Sequence, residues 1–449
     1  VKVERDPDVR AAFEADASGL RMSPESVARP TSAEEVAELL AESSASRQPV
    51  TPAGGQTSTT AASIADAGVL LSLRSMNRIV EVDAGARVAR VQPGVLVGEL
   101  KRAVASEGLT FAPDPTSEEE CTIGGSIACN ASGARTFKYG ATRRHVRALS
   151  IALASGEVVE LRRTDLEKNT VGYAFAHDPI DWFIGSEGTL GVIVEAEVSL
   201  IPAPEQVTGL AIPFASEDAA LQFVIAARES NDVSPRCIEF FGELALEIAR
   251  EADDQRSWAS DASAMIYVED EAPDSLELWL ALAERGAALD DVRVFASESE
   301  IRRARQIRHR VPSAMNERGG KGRESGGRKV STDWAVPYRR LAEAIAMANR
   351  IADEHGVERA VVYGHAGNGH PHQNFIARDA GELVRIEEVV EQTLREVLRM
   401  GGTVAAEHGI GKLKRKWLPL QMTPMQIGIM RAVKRELDPN GILAPGNIL

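Results

Sequence analysis

Apolar positions recur along the chain in two rhythms, and the change of rhythm divides it. Thr31-Ser32-Ala33-Glu34-Glu35 precedes Val36, Leu39 and Leu40 at helical spacing, which predicts a capped amphipathic helix. Short apolar runs at Val69–Leu73, Ile79–Val82 and Val88–Val91 predict strands, and Val95, Leu96, Leu100 and Val104 stripe one face of a helix. Ala148–Leu153 and Val158–Leu161 flank Ser155-Gly156, a hairpin signal. Beyond Pro202-Ala203-Pro204 the texture changes. Strand runs (Gly209–Pro213, Met265–Glu269, Val292–Ala296, Ala360–Tyr363) alternate with helical patterns (Glu217–Arg228, Ser275–Arg285, Tyr338–His355, Gly381–Met400). That alternation suits an α+β domain with helices over a sheet. A Gly/Arg stretch, Arg318–Arg328, interrupts it and reads as a mobile segment. These breaks predict a first domain over residues 1–205, a second over 206–402 and a closing segment over 403–449.

Composition narrows what such a chain does. Its 449 residues carry 51 Lys+Arg against 66 Asp+Glu, a net charge of −15, so no nucleic-acid partner is expected. No apolar run reaches the roughly 18 residues of a membrane span, and Val1-Lys2-Val3-Glu4-Arg5-Asp6 lacks an apolar signal core. A cytoplasmic protein is expected, with peripheral attachment at the inner face of the membrane left open. Cys121, Cys129 and Cys237 are odd in number and form no Cys-x-x-Cys, so neither a disulfide framework nor a zinc ribbon is indicated.

Three glycine-rich stretches lie in the first domain. They are Gly54-Gly55-Gln56-Thr57-Ser58, Ile123-Gly124-Gly125-Ser126-Ile127-Ala128-Cys129-Asn130 and Gly185-Ser186-Glu187-Gly188-Thr189-Leu190-Gly191. Glycine lets backbone N–H groups approach phosphate or a flat ring, and Ser, Thr and Asn add donors. None spells the dinucleotide fingerprint or the P-loop. Singly each is an ordinary turn; together they point to a large phosphate-bearing cofactor held in a non-Rossmann way.

Five of the eight histidines lie between His355 and His408. In Gly364-His365-Ala366-Gly367-Asn368-Gly369-His370-Pro371-His372-Gln373-Asn374, the Asn368-Gly369 dipeptide is a preferred two-residue hairpin turn. A turn there sets His365 directly opposite His372, with Cβ atoms about 4.5–5.5 Å apart, close enough to share a metal ion. Asn374 falls on the same face, and Pro371 confines its strand to an edge or irregular position. The plainer alternative is a polar hairpin tip without metal. Glu407-His408 pairs a carboxylate with a general-base candidate, or is simply a solvated pair. The run Arg302, Arg303, Arg305, Arg308, Arg310 is either a solvated helix face or an anion-recruiting site in which one arginine grips a carboxylate.

In this order the motifs resemble flavin-dependent enzymes of the vanillyl-alcohol oxidase/p-cresol methylhydroxylase type, and within them the D-lactate dehydrogenase, glycolate oxidase and D-2-hydroxyglutarate dehydrogenase branch. The marks are Pro49-Val50-Thr51-Pro52-Ala53-Gly54-Gly55, Pro113-Asp114-Pro115, Cys121-Thr122-Ile123-Gly124-Gly125, Lys138-Tyr139-Gly140, the Gly185–Gly191 loop, Gly364-His365-Ala366-Gly367, Glu407-His408-Gly409-Ile410-Gly411 and Leu437-Asp438-Pro439-Asn440-Gly441. The resemblance implies an α+β fold. A two-part FAD-binding domain of the p-cresol methylhydroxylase type is completed by the C-terminal segment, and a cap domain carries an antiparallel sheet covered by helices. It implies FAD held by Pro52, Gly54, Gly55, Gln56, Thr57 and Ser58, by Pro113, Asp114, Thr122, Gly124, Gly125, Ala128, Asn130, Tyr139 and Gly140, and by Glu187, Gly188, Gly191 and Ile193. The first loop has no histidine, so the FAD is expected to be non-covalent. A divalent metal, zinc or manganese, is implied on His365, His372 and Glu407, with His408 as catalytic base and with Arg308 and Asn374 toward the substrate.

Three departures from the branch stand out. Gln56 replaces the usual third glycine, Gly367-Asn368-Gly369-His370-Pro371-His372 replaces Gly-Asp-Gly-Asn-Leu-His, and Ala444-Pro445-Gly446 replaces Asn-Pro-Gly. The implied reaction is oxidation of a small D-2-hydroxy acid to the 2-oxo acid. The implied partner is an electron acceptor: a quinone, a cytochrome, an electron-transfer flavoprotein or an iron-sulfur protein. A homodimer is a compatible assembly. One rival is a redox-neutral enzyme resembling alkylglycerone-phosphate synthase, which the tail Lys412-Leu413-Lys414-Arg415-Lys416-Trp417-Leu418 also resembles. That enzyme has a histidine at the Glu407 position and lacks the His365/His372 hairpin. The other rival is an inactive flavoprotein scaffold, against which the intact His365, His372, Glu407 and His408 speak.

Overall fold

A computed structural model describes residues 1–449 apart from 165, 253–257 and 285 and the side chains of 252, 307, 309 and 323. The chain forms two compact units. Residues 1–133, 140–203 and 407–449 make the first; residues 134–139 and 204–406 make the second.

In the first unit the helix Ala33–Ser46 begins where its pattern predicts. The Ser32 hydroxyl accepts from Glu35 N at 3.3 Å, and Val36, Leu39 and Leu40 are buried. The buried strand Val69–Ser72 lies between parallel partners Ser26–Ala28 and Val50–Ala53, with Val3–Glu4 antiparallel at the edge. A second, antiparallel sheet runs in the order Ile79–Asp83, Val88–Val91, Val192–Ser199, Val146–Ala152, Val158–Arg162. The C-terminal segment is stitched to the first sheet: Val50 N donates to Ile442 O and Ala444 N to Val50 O, both at 2.8 Å. Asp438 directs that return, because its buried carboxylate accepts from Ile442 N at 3.0 Å and Leu443 N at 2.8 Å.

The second unit is a seven-stranded sheet in the order Arg293–Phe295, Thr208–Phe214, Ala264–Asp270, Pro235–Phe241, Val361–His365, His370–Ile376, Lys329–Ser331, antiparallel throughout. The helices Glu243–Ala252 and Glu298–Gly320 pack on it through a core that includes Phe241, Leu246, Met265, Tyr267, Val311 and Met315. The pattern-predicted helix Ser275–Arg285 ends at Ala283, and Arg285 lies outside the described residues. Pro235–Phe241 escapes pattern analysis because every residue in it is buried, so no polar alternation marks it. The helix Glu298–Gly320 runs on through Gly319 and Gly320, and a short 3₁₀ turn at Arg323–Ser325 leads into Lys329–Ser331. A Cβ at Gly319 would lie 2.7 Å from that of Lys329, so this glycine allows a close approach of chain to chain. Among the described residues no helix is long and apolar enough to cross a membrane, and the three cysteines are free.

Residues 134–139 are tied into this unit by ion pairs. The buried Glu269 carboxylate accepts from Arg236 Nε at 2.6 Å, Arg135 Nε at 3.2 Å and the Tyr267 hydroxyl at 3.0 Å. Lys138 Nζ reaches Glu271 at 2.6 Å. Burial opposes the Glu269 charge, but Arg135, then Arg236 and Arg305, outweigh it and hold the carboxyl down at about 2. Glu269→Gln leaves those arginines buried without their countercharge and should destabilise the unit by about 3–5 kcal/mol at neutral pH. Because the folded value is depressed, this stabilisation is complete above the ordinary carboxylate range and lost as pH falls toward about 2. Urea unfolding of both proteins should therefore show a gap at pH 7 that narrows as the medium is acidified. Equal midpoints at pH 7 would contradict this.

Candidate functional site

The histidine hairpin closes differently from its dipeptide signal. Val361–His365 and His370–Ile376 pair so that His365 is opposite His370 and Tyr363 is opposite His372. The expected direct pairing of His365 with His372 is corrected. The favoured two-residue turns need positive φ at the first central residue, and type I′ at both, whereas of Asn368 and Gly369 only Gly369 (φ +68°) has it, so the loop instead spans Ala366–Gly369 through a 3₁₀ turn. The shift preserves the face and adds a residue to it. His365, His370, His372 and Asn374 all project from one side of the sheet, by opposition and by alternation. The imidazole centroids are 5.4 Å apart for 365–370, 5.3 Å for 365–372 and 4.6 Å for 370–372. Gly364 (φ +141°) makes room: a Cβ there would lie 2.9 Å from His370 O and 3.1 Å from the His372 ring. Pro371 is tolerated because the outer strand Lys329–Ser331 pairs only with Asn374–Ile376, leaving Pro371 without a neighbour on that side.

Glu239, which the sequence pattern did not single out, underlies this cluster. It is a lone acid in Cys237-Ile238-Glu239-Phe240-Phe241 and is 1% exposed. A carboxylate inside an apolar strand is the signal that could have found it, because such a charge must be paired. Its Oε1 lies 2.7 Å from His365 Nδ1, and its other oxygen pairs with Arg308 Nε. Arg308 Nη2 lies 3.3 Å from the His365 ring nitrogens. Burial resists the Glu239 charge, but Arg308 foremost, then His365, hold its carboxyl down at about 2. On the other side of the cluster, His370 Nε2 is 3.1 Å from Asp333 Oδ1. Three buried imidazoles with carboxylates behind them are a donor set suited to zinc or manganese. Asn374 is 1% exposed, and neither atom of its amide has a hydrogen-bond partner among the described residues. A buried amide of that kind fits a site built for a polar ligand.

In the first unit the glycine loops divide into two kinds. Among the described residues, no backbone N–H from Gly54 to Thr59 donates within the chain. Six successive donors on half-buried irregular backbone fit the phosphate oxygens of a dinucleotide. Gln56 holds the strained corner (φ +55°), and its amide donates to Phe13 O at 3.0 Å and Ser63 O at 3.2 Å. Pro52 packs against Gly188, and the Thr122 hydroxyl accepts from Gly125 N at 3.2 Å. Asn130 sits in an αL corner with Oδ1 accepting from Arg143 N at 2.9 Å, and Gly140, three residues before Arg143, has φ +83°. Asp114 is buried, and its carbonyl lies where a Cβ at Gly133 would come within 2.3 Å.

Other candidates have packing tasks. Gly124 abuts Pro93, and Gly191 makes room for Ile151. Ile193 pairs with Ile151 inside the sheet. Tyr139 belongs to the second unit, where its hydroxyl meets Glu271. Glu187 (φ +51°) is occupied by the returning segment: its carboxylate accepts from Ile410 N at 2.6 Å and Gly411 N at 2.7 Å. In that segment His408 Nε2 is 3.3 Å from Glu407 Oε1, and Ser132 Oγ lies 3.5 Å from Glu407 Oε2.

Two family descriptions match the chain: FAD linked oxidases, C-terminal domain, over residues 203–448, and FAD binding domain over residues 24–162. It is 31% identical over 436 residues to the glycolate oxidase subunit GlcD of Bacillus subtilis, covering 95% of this chain and 89% of that one. It is 32% identical over 426 residues to the D-lactate dehydrogenase of Archaeoglobus fulgidus, covering 94% and 91%. A D-2-hydroxyglutarate dehydrogenase of Stutzerimonas stutzeri is 30% identical over 442 residues, covering 95% and 91%. Among solved structures, p-cresol methylhydroxylase superposes with a TM-score of 0.75 at 16% identity, covering 99% of this chain and 93% of that one. An alkyldihydroxyacetonephosphate synthase superposes with a TM-score of 0.74 at 20% identity, covering 99% and 82%. At these identities the two structures establish the fold alone.

Burial pushes the Glu187 carboxyl up, against the pull of the Ile410 and Gly411 N–H groups. Removing that carboxylate in Glu187→Ala strips two donors of a charged acceptor and should cost about 1.5–3 kcal/mol per bond. Hydrogen exchange should then quicken at least about tenfold at Ile410 and Gly411. Unchanged exchange there would show that the segment is held by something else.

Proposed function

The chain belongs to the FAD-linked oxidase family, and on that premise we propose that it oxidises a D-2-hydroxy acid to the 2-oxo acid and delivers the electrons to an acceptor. The observation that carries this reading is the buried sheet face bearing His365, His370, His372 and the unpartnered Asn374 amide beside a guanidinium anchored on Glu239. The named relatives support it, since glycolate, D-lactate and D-2-hydroxyglutarate are all 2-hydroxy acids. FAD, when bound, accepts the hydrogen and electron pair that leave C2. A divalent cation, zinc or manganese, supplies Lewis acidity toward the 2-hydroxyl.

The chain's own residues divide the remaining work. His365 and His372, joined by His370 on the same face and by Glu407, are the proposed holders of the cation. Arg308 receives the substrate carboxylate, and Glu239 keeps its guanidinium from turning away. Asn374 orients the polar end of the acid through its amide. His408 takes the hydroxyl proton, and the Glu407 carboxylate 3.3 Å from its Nε2 stabilises the imidazolium that results. The donors of Gly54–Thr59 hold the cofactor's phosphates without a covalent bond, the loop having no histidine. The alkyl-transfer alternative gains nothing from the superposed synthase, which shares the fold only.

Anaerobic mixing with D-2-hydroxy acids should bleach the flavin absorbance. His408→Asn should keep its FAD and reduce it at least about 10²-fold more slowly. The loss should fall on kcat and kcat/KM alike. Chelation, or His372→Ala, should abolish turnover while acid precipitation still releases FAD to the supernatant. Failure of every 2-hydroxy acid to bleach the flavin would contradict the proposal, and a normal rate in His408→Asn would place the base elsewhere.

A further inference from the structure

Beside the Glu239–Arg308 pair, the second unit has a half-open cavity of about 40 Å³ between its sheet and the helices Glu243–Ala252 and Glu298–Gly320. Ala211, Phe241, Met265 and Tyr267 line the sheet side, Leu246 and Ala304 the helix side, and Arg308 closes one flank. The sheet-side residues share a face with the polar cluster. Tyr267 is registered opposite Glu239 on one side and Ala211 on the other, and Phe241 is opposite Tyr363. Neighbouring strands are about 4.8 Å apart, so the apolar floor starts about one strand from the strand that carries His365. A carboxylate gripped by Arg308 thus has imidazoles on one side and an apolar chamber on the other.

Resting on the 2-hydroxy acid reading above, we infer that this cavity houses the substrate's side chain and that the substrate is a 2-hydroxy acid with an apolar side chain of two to four carbons. A site occupies roughly 10–15 Å³ of such volume per water-sized group, so the chamber holds about three, the bulk of a propyl or isobutyl group. Two arginines stand at its outer wall. Arg250 donates to the Ala259 and Ala262 carbonyls, and Arg293 lies over the Trp258 ring at 4.4 Å. Glycolate leaves the chamber empty, and a dicarboxylate brings a charge into it that must be desolvated.

The test is kcat/KM for flavin reduction by the holoenzyme with glycolate, D-lactate, D-2-hydroxybutyrate, D-2-hydroxyvalerate, D-2-hydroxyisocaproate and D-2-hydroxyglutarate. Values should rise about fourfold per added side-chain carbon up to three or four, the burial of one methylene each. D-2-Hydroxyglutarate should fall at least about tenfold below D-2-hydroxyvalerate. Ala304→Leu, which fills the chamber, should erase that rise and bring the long acids to within about threefold of D-lactate with FAD content retained. Ala249→Leu, from the neighbouring helix, serves as a second filling variant. A maximum at glycolate or at D-2-hydroxyglutarate overturns the inference. So does a filling variant that gains heat stability while its chain-length profile is unchanged, which would make the chamber a packing gap. If no 2-hydroxy acid reduces the flavin, the underlying reading fails, a result distinct from reduction with the wrong side-chain preference.

Discussion

A carboxylate placed inside an apolar strand has to be paired, and that requirement organises the candidate site. Glu239 sits mid-sheet with Phe240 and Phe241 after it, and Arg308 foremost, then His365 and His372, hold it ionised against its burial. The pairing fixes two side chains at once. An ionised carboxylate only accepts, so the hydrogen in the 2.7 Å contact belongs to His365 Nδ1, and the lone pair of the ring is assigned to Nε2. The guanidinium is oriented by the same carboxylate, next to the imidazole with which it would share a substrate. Breaking such a buried pair from one side is costly, so substitutions at Glu239 should disturb two functions together.

A comparable device operates in the first unit. Glu187 and Asp438 are buried acids whose oxygens accept from consecutive backbone N–H groups, at Ile410 and Gly411 and at Ile442 and Leu443. Glu187 thereby ties the returning segment to the loop before Val192–Ser199, and Asp438 fixes the turn by which that segment comes back. The Gly54–Thr59 loop keeps its donors unspent among the described residues, which suits it to phosphate.

Much of this was legible in the sequence because its carriers are local. The Ser32 cap, the 155–156 hairpin and the alternation of strands and helices beyond residue 207 follow from spacing and capping chemistry, and the ordered motifs indicated the cofactor. The histidine face was foreseen, but its register was not. A dipeptide preference chose the turn, whereas the Gly369 carbonyl, which accepts from Val336 N at 3.0 Å, helps hold the longer loop that brings His370 in. Glu239 stayed hidden because nothing local marks a buried acid as functional, and its partners lie 69 and 126 positions away in sequence, at Arg308 and His365. In Arg318–Arg328 the residue type that loosens a chain also permits close packing, and at Gly319 Lys329 supplies the neighbour.

The ionised Glu239 dictates the state of His365. Nitrogen-15 NMR of enzyme labelled at histidine, with His365 assigned by comparison with His365→Gln, reads that state directly. A protonated Nδ1 at neutral pH, coupled to its hydrogen, is expected, with the loss of that signature in Glu239→Ala. An unprotonated Nδ1 in the unaltered enzyme would contradict it.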